Sequence, residues 1–315
     1  MIEDVDGATA PESLLRALHL VEVEADLRAP GEPPRPVEDA IVSYRNPGTA
    51  KRRRWLARVG GEPAGAALLS DYGGSLVVGN VLVRPSFRRR GVGTELFEAL
   101  AAGARVGRIA SFFGEYGTEA GAAFARASGA VDDQRHLVSV LDLTAAAFEP
   151  PVPPAGIELR SWTGPVPEEL VDSFVRARNA MADAPVPGGQ SMPEWTLEEQ
   201  RRDEERCAAR REPQHVTVAV SEGEVLSLTG VRVSAGPAPF VRTDDTATVP
   251  DARGQGLALA VKTENLRRLR AERPDVAKVA TKNAEHNAAM RAVNAKLGFE
   301  PVLILTTAVV DLNHG

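Results

Sequence analysis

The chain predicts an α/β fold built twice: a mixed, mostly antiparallel sheet flanked by helices, then a second copy of the same plan. Three observations lead there. Its 315 residues suit two domains of ordinary size better than one. Strand-like and helix-like patterns follow one another in the same order in each half. Between the halves lies Ala147-Phe148-Glu149-Pro150-Pro151-Val152-Pro153-Pro154, whose run of prolines sustains neither a helix nor a central strand. Domains are therefore expected at 1–147 and 156–315, joined by a stiff linker at 148–155.

Each element has a local reason. In the first half, Ser13–Leu27 has a helical pattern. Trp55–Val59 and Ala64–Leu69 read as strands around the turn Gly60-Gly61-Glu62-Pro63. Leu76–Val83 is an apolar, β-rich run. The helix that follows extends to about Ala102 and places Val92, Leu96 and Leu100 on one face. Arg108–Phe113 reads as a strand, Thr118–Ala127 as a helix and His136–Leu143 as a strand. The second half opens with a short strand, Ile157–Arg160, followed by helices at Glu168–Met181 and Leu197–Arg210. Thr196 and Glu199 have the spacing of a capping box. His215–Val220 and Val225–Val233 form a hairpin, and Val241–Thr248 is a strand. Leu257–Arg270, Val276–Thr281, Asn287–Leu297 and Val302–Leu312 complete the repeat as helix, strand, helix and strand.

Composition narrows the function. A net charge of −6 argues against nucleic acid as the main partner, because phosphate backbones require a basic face. No apolar run reaches the length of a membrane span. The acidic start, MIEDVDGATAPESLL, lacks the order of a secretion signal. Cys207 is the sole cysteine, so no internal disulfide framework exists and a cytoplasmic location is expected. In its polar surroundings it reads as a structural thiol. Nothing in the pattern calls for a metal.

One motif occurs twice. Arg88-Arg89-Arg90-Gly91-Val92-Gly93 and Arg253-Gly254-Gln255-Gly256-Leu257-Ala258 each follow an expected strand and open an expected helix. Small residues let the backbone approach a ligand, and the free N–H groups of a first helical turn point at it. The helix dipole adds roughly half a positive charge there, which suits a diphosphate. A P-loop would need Gly-Lys-(Ser/Thr), and a dinucleotide fingerprint would need glycine where Leu96 and Leu259 stand.

In these loops the sequence resembles the GNAT superfamily of N-acetyltransferases in its tandem form. Asn287-Ala288-Ala289-Met290-Arg291-Ala292-Val293-Asn294-Ala295-Lys296-Leu297-Gly298-Phe299 looks like that family's second motif, with a weaker copy at Thr118–Ala130. Arg88 precedes Gly129 by 41 residues and Arg253 precedes Gly298 by 45. The resemblance covers essentially the whole chain and is strongest in Val241–Pro301 and Leu76–Glu98. It implies acetyl-CoA as co-substrate, held by both loops and by the strand ends Val81, Leu82, Val83 and Thr246, Ala247, Thr248, with Asn287 beside the coenzyme arm. It implies a small-molecule amine as acceptor. A non-catalytic acyl-CoA sensor, or transfer to a protein N-terminus or lysine, are the alternatives. Monomer and homodimer both stay open.

Aligned on Arg88 and Arg253, Asp244 and Asp245 fall opposite Gly79 and Asn80, so only the second half has carboxylates at the family's base position. Strand alternation expects the two aspartates on opposite faces, leaving one to serve. The family's acidic tyrosine is missing. Asn294 stands there in the second half and Ala125 in the first, with Tyr116 nearby in the first half. His286 reads as a surface residue. Asp183 and Trp195, in the Pro/Gly-rich segment from Met181 to Thr196, are the candidate acceptor-binding residues.

Overall fold

The computed structural model describes every residue except Asp26, Pro47, Thr49, Gly74, Ser75, Ala184, Pro185, His314 and Gly315, and the side chains of Ala182 and Asp183 also lie outside the described residues. In chain order the elements are β1 (Ile2–Asp4), α1 (Glu12–Ala25), α2 (Val37–Arg45), β2 (Lys51–Val59), β3 (Glu62–Asp71), β4 (Val77–Val83), α3 (Val92–Val106), β5 (Ser111–Tyr116), α4 (Glu119–Ala127) and β6 (Val131–Asp142). The repeat continues with β7 (Glu158–Thr163), α5 (Val171–Asn179), α6 (Leu197–Ala209), β8 (Gln214–Ser221), β9 (Glu224–Arg232), β10 (Phe240–Thr248), α7 (Leu257–Glu272), β11 (Lys278–Ala284), α8 (Ala288–Lys296) and β12 (Glu300–Asp311). The sequence reading placed neither β1 nor α2. The capping box at Thr196 and Glu199 is present in full at the start of α6.

The chain divides into two compact units, each drawing on both halves of the sequence. The first comprises Met1–His136, Pro185–Pro193 and Ile304–Gly315; the second comprises Leu137–Ala184 and Glu194–Leu303. In the first unit β1, β2, β3 and β4 pair antiparallel in succession, β4 and β5 run parallel, and β5 is closed by antiparallel pairing to the end of β12, from Thr306–Tyr116 to Asp311–Ser111. The second unit repeats the order. β7, β8, β9 and β10 pair antiparallel, β10 and β11 run parallel, and β6 lies beside β11. Each sheet is thus completed by the last strand of the other half.

Both faces of each sheet are covered, as the strand pattern requires. On β2, Trp55 and Ala57 turn to the core beneath α3, with Leu96, Leu100 and Phe112, while Leu56 turns to the opposite core with Leu15, Leu18 and Val21 of α1. On β8, Val216, Val218 and Val220 pack with Leu170, Val171 and Phe174 at α5, whereas Ala219 packs with Leu257 and Val261 of α7. Full burial of a Leu or Val side chain stabilises by about 1.5–3 kcal/mol. These stripes account for the helices' attachment to the sheets.

Lys262 interrupts the apolar face of α7. It is 2% exposed, and its ammonium lies 5.3 Å from the centre of the Phe299 ring. Burial lowers its pKa from 10.5 to about 8. Between those values the unfolded chain binds the proton and the folded chain does not, so this residue makes stability rise with pH across that window. Lys262→Met should raise stability at pH 7 by about 3 kcal/mol and flatten the stability profile between pH 8 and 10.5, measured by urea unfolding at each pH.

Candidate active site

The two predicted loops have one architecture. Each begins with a short 3₁₀ turn, Pro85–Phe87 or Pro250–Ala252, and ends in a left-handed glycine at the helix N-cap. Gly91 has φ 81° and Gly256 has φ 81°. Neither cap residue offers a side chain, so the first-turn amides of α3 and α7 receive no side-chain cap. By contrast α4, α6 and α8 are capped by Thr118, Thr196 and Asn287. Asn287, expected beside the coenzyme arm, uses its Oδ1 to accept from the Met290 N–H.

Both loop arginines brace their loops, and Arg253 also donates from Nη2 to the Ala180 carbonyl at 3.2 Å. Arg88 Nε donates to the Val83 carbonyl at 3.1 Å, and Arg253 Nε donates to the Thr248 carbonyl at 3.2 Å. Each clamps the 3₁₀ turn to the end of its strand. The loops differ in backbone strain at one pair of matching positions. Arg89 holds φ 61° where Gly254 holds φ 79°, so only the first loop carries the left-handed strain of a side-chain-bearing residue.

Above each loop a parallel pair of strands comes apart. β4 meets β5 at Val78–Phe113. β10 and β11 pair from Phe240–Lys278 to Arg242–Ala280 and no further. Past these points Val81, Leu82 and Val83, and likewise Thr246, Ala247 and Thr248, pair only with the strand on their other side, β3 or β9. Their second edge borders the opening above the loop. In the second unit the opening coincides with a β-bulge: three steps from Thr243 to Thr246 on β10 are matched by two from Val231 to Thr229 on β9.

That bulge corrects the expectation from strand alternation. Asp244 accepts from Gln214 Nε2 at 2.8 Å and lies 3.0 Å from Arg232 Nε; Arg232 in turn donates to Asp203 of α6 at 2.7 Å. Asp245 accepts from Arg178 of α5 at 2.7 Å, and Arg178 donates to Gln200 of α6 at 3.3 Å. Both carboxylates therefore point to the side of α5 and α6. Burial pushes the Asp244 carboxyl above the usual carboxylate range, outweighing the attraction of Arg232. Beside Asp245 a cavity of about 10 Å³, lined by Phe174, Arg178, Gln214 and Gly230, has room for about one water.

Trp195 joins this network. Its ring centre lies 3.7 Å from the Arg178 guanidinium carbon, and its Nε1 donates to Gln200 at 3.0 Å. The sequence reading missed Arg178, Gln200, Asp203, Gln214 and Arg232. A signal existed: α6, LEEQRRDEERCAA, has no apolar stripe, yet Gln200, Asp203 and Cys207 recur on its buried face. A helix that turns polar groups inward must meet polar partners. Cys207 is buried, which pushes its thiol pKa up and suits a structural role.

The remaining predicted residues separate. Asn294 is buried; its Nδ2 donates to Asn283 Oδ1 at 2.6 Å, while its own Oδ1 has no hydrogen-bond partner. His286 is exposed. The side chain of Asp183 lies outside the described residues. Pro185–Pro193, read as part of the acceptor segment of the second half, belongs to the first unit, where Gln190 Oε1 accepts from the Val77 N–H at 3.0 Å. In that unit a Cβ at Gly79 would stand 2.5 Å from the Phe112 ring, so no side chain fits where Asp244 stands in the second. Tyr116 donates to Asp132 at 2.8 Å, and burial, with that bond, pushes its phenol upward, away from easy proton release.

A parallel pair opening over an uncapped helix N-terminus, with two half-buried carboxylates nearby, sets main-chain donors for an anion beside groups that can take a proton, the arrangement a group transferase needs. The comparisons carry this to a family. The model of the Acetyltransferase (GNAT) family matches residues 20–114. A mycothiol acetyltransferase of Amycolatopsis mediterranei is 30% identical over 252 residues, covering 78% of this chain and 79% of that protein. Another, of Actinosynnema mirum, is 36% identical over 151 residues; this match takes in 47% of the chain and spans about half, 49%, of that relative's length. A tandem GNAT protein from the clavulanic acid biosynthesis pathway superposes with a TM-score of 0.82 at 25% identity, covering 99% of both chains. A GCN5-related N-acetyltransferase of Sphaerobacter thermophilus shares the fold, with a TM-score of 0.71 at 16% identity and coverage of 99% and 96%. The chain belongs to the GNAT acetyltransferase family and is an N-acetyltransferase with two GNAT-like domains. No helix among the described residues is long and apolar enough to cross a membrane, and none of their His, Cys, Asp and Glu side chains gather in threes to hold a metal.

A Cβ at Gly256 would meet nothing within 4 Å. Gly256→Ala should therefore cost only the left-handed strain, about 1–2 kcal/mol in chemical unfolding. By crowding the uncapped amides it should also weaken binding of coenzyme A by tenfold or more in calorimetry.

Proposed function

We propose that this enzyme transfers the acetyl group of acetyl-CoA to the primary amine of a small molecule, and that the chemistry takes place in the second unit. The reading takes residues 1–147 and 156–315 as the two GNAT copies, with both loops as coenzyme sites. One observation carries it: the bulge that sets Asp244 and Asp245 at the opening between β10 and β11, above the bare N-terminus of α7. The relatives named for mycothiol, itself a small molecule, favour a small acceptor over a protein.

Each residue has a role consistent with its surroundings. Asp244, with its raised pKa, takes the amine proton. Asp245, held by Arg178, whose guanidinium stacks on Trp195, fixes the acceptor side and orders a relay water in the small cavity. Main-chain N–H groups along the free edge of Thr246–Thr248 polarise the thioester carbonyl. Asn294 Oδ1, the buried acceptor with no partner, receives an N–H or S–H of the coenzyme arm. As an amide it donates no acidic proton, so the departing thiolate is protonated by water.

Two measurements test this. Thiol release from acetyl-CoA across a panel of small amines should be acceptor-dependent, and Asp244→Asn should lower kcat by about 10²–10⁴-fold while coenzyme affinity changes less than about twofold. Because burial raises the Asp244 pKa, the acid limb of kcat/KM should lie above the ordinary aspartate range and be absent in the variant. An Asp244→Asn enzyme with wild-type kcat would remove Asp244 from the chemistry.

A further inference from the structure

The proline-rich segment does more than join two domains. It is fastened to the second unit at both ends. Arg270 of α7 donates to the carbonyls of Thr144 and Ala146, and Phe148 packs against the core that holds Leu266 and Leu269. Farther on, Ile157 packs with Ala252 and Leu257 at the opposite end of the same helix. The segment therefore runs back along α7 from its C-terminus to its N-terminus. Between these anchors, Glu149–Pro154 stands off from the helix and leaves a recess of about 480 Å³.

The floor of this recess is the stripe Gly256, Leu259, Ala260 and Thr263, and its roof is formed by the prolines and Val152. Val152 is 93% exposed, an apolar side chain held in the open beside an apolar floor. Gln255 and Gly256 belong both to the recess and to the loop that opens α7. A ligand with its diphosphate on that loop has its next group at the mouth of the recess. The volume falls within the range of small-molecule sites. The lining offers no cation and one carboxylate, Glu149, beside largely aliphatic walls of proline, Val152, Leu259 and Ala260, which suits a planar heterocycle rather than a further phosphate.

We propose that the segment Glu149–Pro154 is a wall of the coenzyme site in the second unit, closing over the adenine of acetyl-CoA against Leu259, Ala260 and Thr263. The proposal rests on the coenzyme reading above. It gives the linker a binding role and predicts that the nucleotide half of the coenzyme contributes affinity through this recess.

The test compares coenzyme A with 4′-phosphopantetheine, which lacks the nucleotide, by titration calorimetry on the full chain. Two variants alter the recess without touching the loop: Val152→Asp places a charge in the roof, and Thr263→Phe fills the floor. Each should weaken coenzyme A by about tenfold and leave 4′-phosphopantetheine unchanged, with an unaltered melting temperature as the control for folding. Unchanged coenzyme A affinity in both variants, or an equal loss for the two ligands, would overturn the proposal. Failure of the wild-type chain to bind coenzyme A at all would instead overturn the coenzyme reading on which it rests.

Discussion

The site depends on a sheet that is allowed to fail at one place. β10 and β11 are parallel neighbours for three residues, and then an extra residue in β10 turns the strand away. Parallel strands inside a domain normally keep their ladders because an unpaired buried backbone group costs about 1–3 kcal/mol. Here the separation leaves the free edge of Thr246–Thr248 above a helix whose first turn is also bare. Two stretches of main chain, one without a second strand neighbour and one without a side-chain cap, thus border one opening.

The same bulge shapes the electrostatics. It sends both aspartates toward a polar helix, where Arg178 and Arg232 meet them and Asp203 and Gln200 complete the network. Removing one partner from such a network strands the other, which is why the group is expected to behave as a unit. The first unit lacks this arrangement for a steric reason. Phe112 occupies the space beside Gly79, and the regular β3–β4 register has no extra residue to redirect a side chain.

Much of this was legible in the sequence because it rests on local rules. The two loops were readable from glycines at fixed offsets, the capping box from Thr196 and Glu199, and the order of elements from apolar spacing. The bulge was not readable: alternation is a default, and only the pairing with β9 shows that Asp244 and Asp245 break it. Arg178 of α5 lies 67 residues from Asp245, beyond any local window, and Arg232 of β9, nearer in sequence, is brought to Asp244 only by strand pairing. Short α2 also escaped notice, as nine residues after a proline-rich stretch give a weak periodic signal.

The exchange of final strands sets a temporal order on the molecule. Thr307 and Glu115 are neighbours in the first unit although 192 residues separate them along the chain. Pairings of such long range form late and slowly. A ribosome making this protein releases almost the whole of the first unit while β5 still has an open edge, and that edge stays available for wrong partners until Ile304–Asp311 has been synthesised. The duplicated halves are therefore bound to mature together, whichever of them performs the chemistry.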